Sequence, residues 1–282
     1  DNTATLTSDV NEPVSATATT ASYCDLRVSK TVVPTFKRTF YWNILKSVDK
    51  TFARQVGGTT PFKYMVIAKQ TGFTDSDWML TGQITITNPN PTLDISGVYV
   101  KDAVNNGGVC SIAGTTDNFT VPAGSTKVLD YTCTYPVRPS VYGGKNIVRI
   151  KWSAADTPTI SAVQYVYFTF GKPASSNNPL GINETVTITD TFDGETTTLG
   201  TATGTAALPY TYKKFVYPRD VTVPTYGCKS YTNTAKIVET GKTASRTIKV
   251  CGPMELGSKT IGFWKNPGQD IIKNTGTLPG TS

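Results

Sequence analysis

The chain contains no histidine. That removes the Ser-His-Asp and Cys-His nucleophile systems, imidazole ligation of metals and imidazole acid–base chemistry. An enzyme built from what remains would rest on paired carboxylates. The sequence groups its carboxylates in two places, Asp75-Ser-Asp77 and Asp190-Thr-Phe-Asp-Gly-Glu195. Either offers the hard oxygen ligands that Ca²⁺ prefers, but neither has the spacing of an EF-hand loop. Asp190, Asp193 and Gly194 fit an Asx-type turn that follows a strand. The expectation is therefore a chain with no catalytic residue, no metal and no cofactor, and not an enzyme.

Other motifs carry less. Gly57-Gly58, Gly107-Gly108 and Gly143-Gly144 lack the Gly-Lys-Ser/Thr and the following helix of a phosphate loop, so they read as turns. Asn118-Phe-Thr and Asn183-Glu-Thr are candidate glycosylation sequons, relevant only in a host that glycosylates. Trp42, Trp78 and Trp152 sit in strand-like runs. Core packing is expected of them, with a carbohydrate-binding platform as the rival role. Phe263-Trp264 follows a glycine in a loop-like context.

The five cysteines fall into a pattern. Cys110 and Cys133 flank a stretch rich in Gly, Thr and Asn, and Cys228 and Cys251 bracket an alternating run. Both pairs are expected to be disulfides in an exported chain, each stabilising its domain by about 2–4 kcal/mol. Cys24 is left over. It is a free thiol, buried or reactive, an intermolecular partner, or the partner of a cysteine outside this chain.

The elements that must position these residues are strands. Charged residues make up only 17% of the 282, and Thr, Ser, Gly, Asn and Tyr take their place. That is the composition of a many-stranded extracellular β-protein. The formal charge of +7 is spread over single Lys and Arg residues, which argues against nucleic acid and for a solvated surface. No apolar run approaches 18 residues, so no membrane span is expected. Period-2 runs recur: Phe40–Leu45, Phe62–Ala68, Trp78–Thr87, Ile95–Val100, Val128–Cys133, Asn146–Trp152, Ile160–Phe170, Val186–Asp190 and Tyr210–Tyr217. Asn88-Pro-Asn-Pro91 must stop the strand before it, because proline cannot donate to a sheet ladder.

One pattern occurs twice. Tyr231-Thr-Asn-Thr-Ala235 opens a hairpin that ends at Cys251, and Asn2-Thr-Ala4 opens another that ends at Cys24. Leucine and then Lys-Thr follow each cysteine, at Leu26 and Lys30-Thr31 and at Leu256 and Lys259-Thr260. The run from Asn146 to Phe170 is a third, diverged hairpin. A hairpin is marginal alone and must close a larger sheet. The expected organisation is a closing hairpin or donor-strand arm at residues 1-23, a β-sandwich domain at 24-173, a smaller one at 174-253, and the start of a further module at 254-282. Residues 171 to 179 read as linker.

Tyr41-Trp-Asn-Ile-Leu-Lys-Ser-Val-Asp49, Asp75-Ser-Asp-Trp78, Gly82-Gln-Ile-Thr-Ile-Thr-Asn-Pro-Asn-Pro91, Tyr231-Thr-Asn-Thr-Ala235 and Ile261-Gly-Phe-Trp-Lys-Asn266 together resemble immunoglobulin-like β-sandwich repeat modules of long, secreted bacterial surface proteins. The resemblance implies an all-β chain of tandem immunoglobulin-like antiparallel β-sandwich domains at the cell surface, and brings no catalytic residues. The expected role is a structural segment of a surface fibre or filament assembled head to tail. Its partners would be neighbouring copies or adjacent domains, met through residues 1-23 and 254-282. The alternative role is an adhesin that binds a surface glycan.

Overall fold

The computed structural model describes residues 2–8, 11–18, 23–153, 157–171 and 180–254. Those residues form eighteen strands and no helix. All pairings with a defined register are antiparallel except two short parallel ones. The chain is an all-β protein, with two compact units that are not sequential in the chain. The first takes residues 1–41 and 72–184, the second 42–71 and 185–282. The boundary therefore differs from a sequential split at 173: Trp42–Thr71 belongs with the later unit. The reason lies in two long strands, β4 (Val33–Val48) and β6 (Thr59–Thr87), each of which contributes residues to both units. The runs 62–68 and 78–87, read separately in the sequence, are one strand. It ends where Asn88-Pro-Asn-Pro91 begins, as proline requires.

In the first unit, β3 (Arg27–Lys30) and β10 (Thr126–Thr134) pair with the later part of β6. β8 (Val109–Ile112) adds to β10, and β13 (Leu180–Ile182) lies parallel to β4 at Lys37–Thr39. A second sheet has the order β12 (Ser161–Thr169), β11 (Gly143–Lys151), β7 (Ile95–Val104), β9 (Phe119–Val121). The core between them takes alternate residues from both sheets: Leu80, Ile84, Ile86 and Leu129 on one, Val98, Val100, Val148 and Ile150 on the other. That is a sandwich-like arrangement. Trp78 stacks on Phe36 at 4.2 Å.

In the second unit, β16 (Tyr212–Thr222) pairs with the early part of β6. The opposite sheet runs β15 (Glu195–Thr203), β14 (Thr185–Phe192), β17 (Cys228–Ile237), β18 (Thr243–Cys251), β5 (Phe52–Arg54). Phe62, Tyr64, Val221, Val223, Ile248 and Val250 pack its interior. Outward faces carry hydroxyl pairs across neighbouring strands, among them Thr185–Thr203, Thr191–Thr196, Thr232–Thr247 and Thr234–Ser245. This is where the threonine-rich composition goes: short neutral side chains that bond across a pleated surface without needing countercharges.

β1 (Asn2–Ser8) and β2 (Asn11–Ala18) form a hairpin that is a two-stranded sheet of its own among the described residues. Most of the proposed linker and the module at 254-282, including Phe263-Trp264, lie outside the described residues.

Candidate functional site

Each unit buries a lysine, an aspartate and an asparagine together. On β4 the inward phase reads Phe40, Trp42, Ile44 and then Lys46, whose side chain has no exposed surface. On β14 it reads Val186, Ile188 and then Asp190, also fully buried. On β17 it reads Asn233, Ala235, Ile237, and Asn233 is 0% exposed. Lys46 Nζ donates to Asp190 Oδ1 and to the Tyr217 hydroxyl at 2.9 Å. Tyr64 and Tyr217 stack beside it, with Nζ 4.9 Å from the Tyr64 ring centre. Arg219 approaches Asp190 Oδ2 only to 3.9 Å. The Asn233 amide lies beside the two tyrosine hydroxyls, yet neither its Oδ1 nor its Nδ2 has a hydrogen-bond partner of good geometry.

The first unit repeats the arrangement. Lys30 follows Leu26 and Val28 in phase, Asp102 follows Val98 and Val100, and Asn146 precedes Val148 and Ile150. Lys30 Nζ donates to Asp102 Oδ1 at 2.8 Å, both side chains being fully buried, and lies 3.3 Å above the Tyr131 ring. Asn146 is 0% exposed and its Oδ1 has no partner; its Nδ2 sits 3.7 Å from Cys133 Sγ.

The register is the same in both units. Asp102 pairs with Val148, two residues beyond Asn146, and Asp190 pairs with Ala235, two residues beyond Asn233. Each Asp and Asn are thus diagonal neighbours on one face of an antiparallel pair. Each lysine comes from the opposing sheet and reaches across the core to them. The electrostatics agree in direction. Burial lowers the Lys30 amine to about 8 and raises the Asp102 carboxyl, against the pull of their mutual hydrogen bond. Burial lowers Lys46 too. At the first cluster, loss of hydration thus works against the charged forms of both Lys30 and Asp102.

The residues singled out in the sequence are mostly elsewhere. Cys110 is bonded to Cys133 across β8 and β10, and Cys228 to Cys251 across β17 and β18. Cys133 lies against the first cluster, its Sγ 3.6 Å from Asp102 Oδ2. Asp102, Cys110 and Cys133 converge closely enough to suggest a metal site, but both sulfurs are spent in the disulfide and supply no thiolate. Cys24 is an exposed free thiol, not a buried one. Asp75 forks with Arg38 at 2.7 and 2.8 Å, and Asp77 pairs with Lys37, so this carboxylate group is occupied by ion pairs. Asp193 and Gly194 make the two-residue turn between β14 and β15 with φ of 50° and 88°. Asp190 does not belong to that turn: it is a core-facing strand residue. Asn118 and Asn183 occupy left-handed turns, with φ of 49° and 55°, a conformation that favours asparagine irrespective of any glycan. Trp42, Trp78 and Trp152 are all buried core residues.

Lys30, Lys46, Asp102, Asn146 and Asn233 were not visible as a site in the sequence, although a signal was present. Each is a polar residue in the apolar phase of an alternating strand, and burying such a group is costly unless it serves something. Compared with known families and curated proteins, the chain matches no family model and no curated protein.

Proposed function

We propose that the chain is a structural segment of an extracellular fibre or filament, built from immunoglobulin-like β-sandwich modules and joined head to tail. The observation that carries this reading is the β1–β2 hairpin, which pairs with no other strand among the described residues. Two strands alone are marginal in water. An unpaired sheet edge is a template for another chain, and strand addition that does not close into a ring propagates. Two disulfides are compatible with an oxidising, extracellular setting. Hydroxyl-covered sheets with few charges suit a surface that must be stable rather than selective. Deleting residues 1–22 tests the reading. The expected result is unchanged melting of both units with loss of end-to-end association, followed by light scattering and electron microscopy. Unfolding of the first unit on deletion would show that the hairpin completes that unit instead.

A second reading, an adhesin that binds glycan, is favoured by one feature. Tyr165 and Tyr167 are exposed on edge strand β12, edge to face at 5.6 Å, with Lys145 Nζ within 5.2 Å of both rings. Glycan binding that is lost in a Tyr165→Ala, Tyr167→Ala double variant would support it.

A further inference from the structure

We propose that Lys46 with Asn233, and Lys30 with Asn146, are joined by intramolecular amide bonds that the folded chain forms itself, with Asp190 and Asp102 as the catalytic proton-transfer groups. The inference does not rest on the fibre reading.

Four observations converge on it. First, Asn233 is fully buried with both polar side-chain atoms unpartnered, and Asn146 is fully buried with Oδ1 unpartnered. Buried polar groups are paired in all but a few instances, and each exception demands a reason. Second, a fully buried lysine amine and a fully buried carboxyl are already in contact beside each amide. Third, the three residue types recur in both units at one register, with the lysine on one sheet and Asp and Asn on adjacent strands of the other. The sequences around them differ, so what recurs is the set of functional groups. Fourth, the surroundings are aromatic and the lysine in each unit is under pressure to be neutral, which is the nucleophilic form of an amine.

The chemistry balances without any co-reactant. The Nζ lone pair adds to Cγ of the asparagine. The carboxyl of the aspartic acid protonates the amide as charge develops there, and its carboxylate then removes a proton from Nζ. The Cγ–Nδ2 bond breaks, Nδ2 departs as ammonia, and the aspartic acid is regenerated. A primary amide and an amine become a secondary amide and ammonia. Nothing is oxidised or reduced. The aspartate is the group already touching the amine and so moves the proton; the asparagine carries a buried carbonyl oxygen that no donor satisfies and so accepts the nucleophile.

Intact mass of the full chain, reduced and denatured, tests this. Two bonds remove two ammonias, about 34 Da in all, and proteolysis yields branched peptides joining Lys46 to Asn233 and Lys30 to Asn146. Lys46→Met and Asp190→Ala should each restore one ammonia, about 17 Da, and the corresponding Lys30 and Asp102 variants the other. A sequence-expected mass for the native chain overturns the proposal, as does absence of the branched peptides. A loss of about 18 Da per site would be water, placing the bond on aspartate and overturning the asparagine assignment. A loss that persists in the Lys30→Met, Lys46→Met double variant would be ring closure at a site such as Asn106-Gly107, and would overturn it too. Where a variant fails to fold, the branched peptides of the native chain decide alone.

Discussion

Replacing Asn233 by alanine has an effect whose sign depends on whether the bond is there. Suppose it is not. Asn233 is then a buried amide with neither polar atom satisfied, a state that costs about 1–3 kcal/mol. Alanine removes that cost and leaves a small cavity, which takes back about 1 kcal/mol. The variant would be as stable as the parent or slightly more so. Suppose instead that Lys46 and Asn233 are linked. The cross-link closes the long loop between positions 46 and 233 and restricts the unfolded chain. In the chain-entropy picture developed for disulfides, losing such a link costs about 5 kcal/mol, with only a weak dependence on loop length. The Lys46–Asp190 contact survives in this variant, so no charge is stranded. We expect the loss. Hydrogen exchange over β14, β17 and β18 reads it directly, and peptides of the first unit serve as the internal reference. The expected outcome is faster exchange throughout the second unit and none of the change in the first. Exchange in the second unit that matches or is slower than the parent would refute the reasoning, because only an unlinked asparagine can be removed without penalty.

Gly82→Ala tests how the first cluster is held: a Cβ there would sit 2.3 Å from the Thr31 carbonyl oxygen and 2.8 Å from the Tyr131 hydroxyl, and Tyr131 donates to that same carbonyl at 2.5 Å. We expect a loss of about 1–3 kcal/mol and slower formation of the Lys30 bond, seen as residual unlinked mass. Asn146→Ala leaves Lys30 as a free amine whose folded value is about 8 against an ordinary 10.5. Between those values the unfolded chain holds a proton that the folded chain has shed, so the stability of this variant relative to the parent should rise as pH increases from about 8 to 10. In the linked parent Lys30 does not titrate, and urea midpoints of the two proteins that ran parallel over this range would contradict the bond.

Much of the fold was legible because a strand has a period of two. The runs at Trp78–Thr87, Val128–Cys133 and Asn146–Trp152 showed their inward phase plainly, and proline at 89 and 91 fixed where β6 stops. The division into units was not legible. β4 alternates without a break through position 41, whereas the alternation of β6 lapses over Thr71-Gly-Phe-Thr-Asp-Ser-Asp77, a stretch that reads as a gap between two strands rather than as one strand passing from one core to the next. The cluster was half legible. Asp190 was read with Asp193 and Gly194 as one turn, since aspartate before glycine is the common turn signal. The phase Val186, Ile188, Asp190, Phe192 placed it in the core instead. That lysine, aspartate and asparagine come together depends on which strands become neighbours across a sandwich, and this is not written in any one strand.

The two clusters are hard to understand as stabilising features. A buried ion pair recovers little more than the desolvation of its charges, and packed apolar residues of similar volume usually do as well or better. Here each pair is accompanied by an amide that is not fully satisfied, which adds cost without adding contacts. A fold that needed only a core would drift toward leucine or methionine at positions 30, 46, 146 and 233. The arrangement makes sense if the polar groups are reactants. Their exposure in the unfolded chain is harmless, their convergence requires the folded sheets, and the bond they form removes the amine charge and the amide hydrogens that made burial costly. On this account the cost is borne only until the bond closes. The cross-link then ties β3 to β11 in the first unit and β4 to β17 in the second, joining the two facing sheets of each.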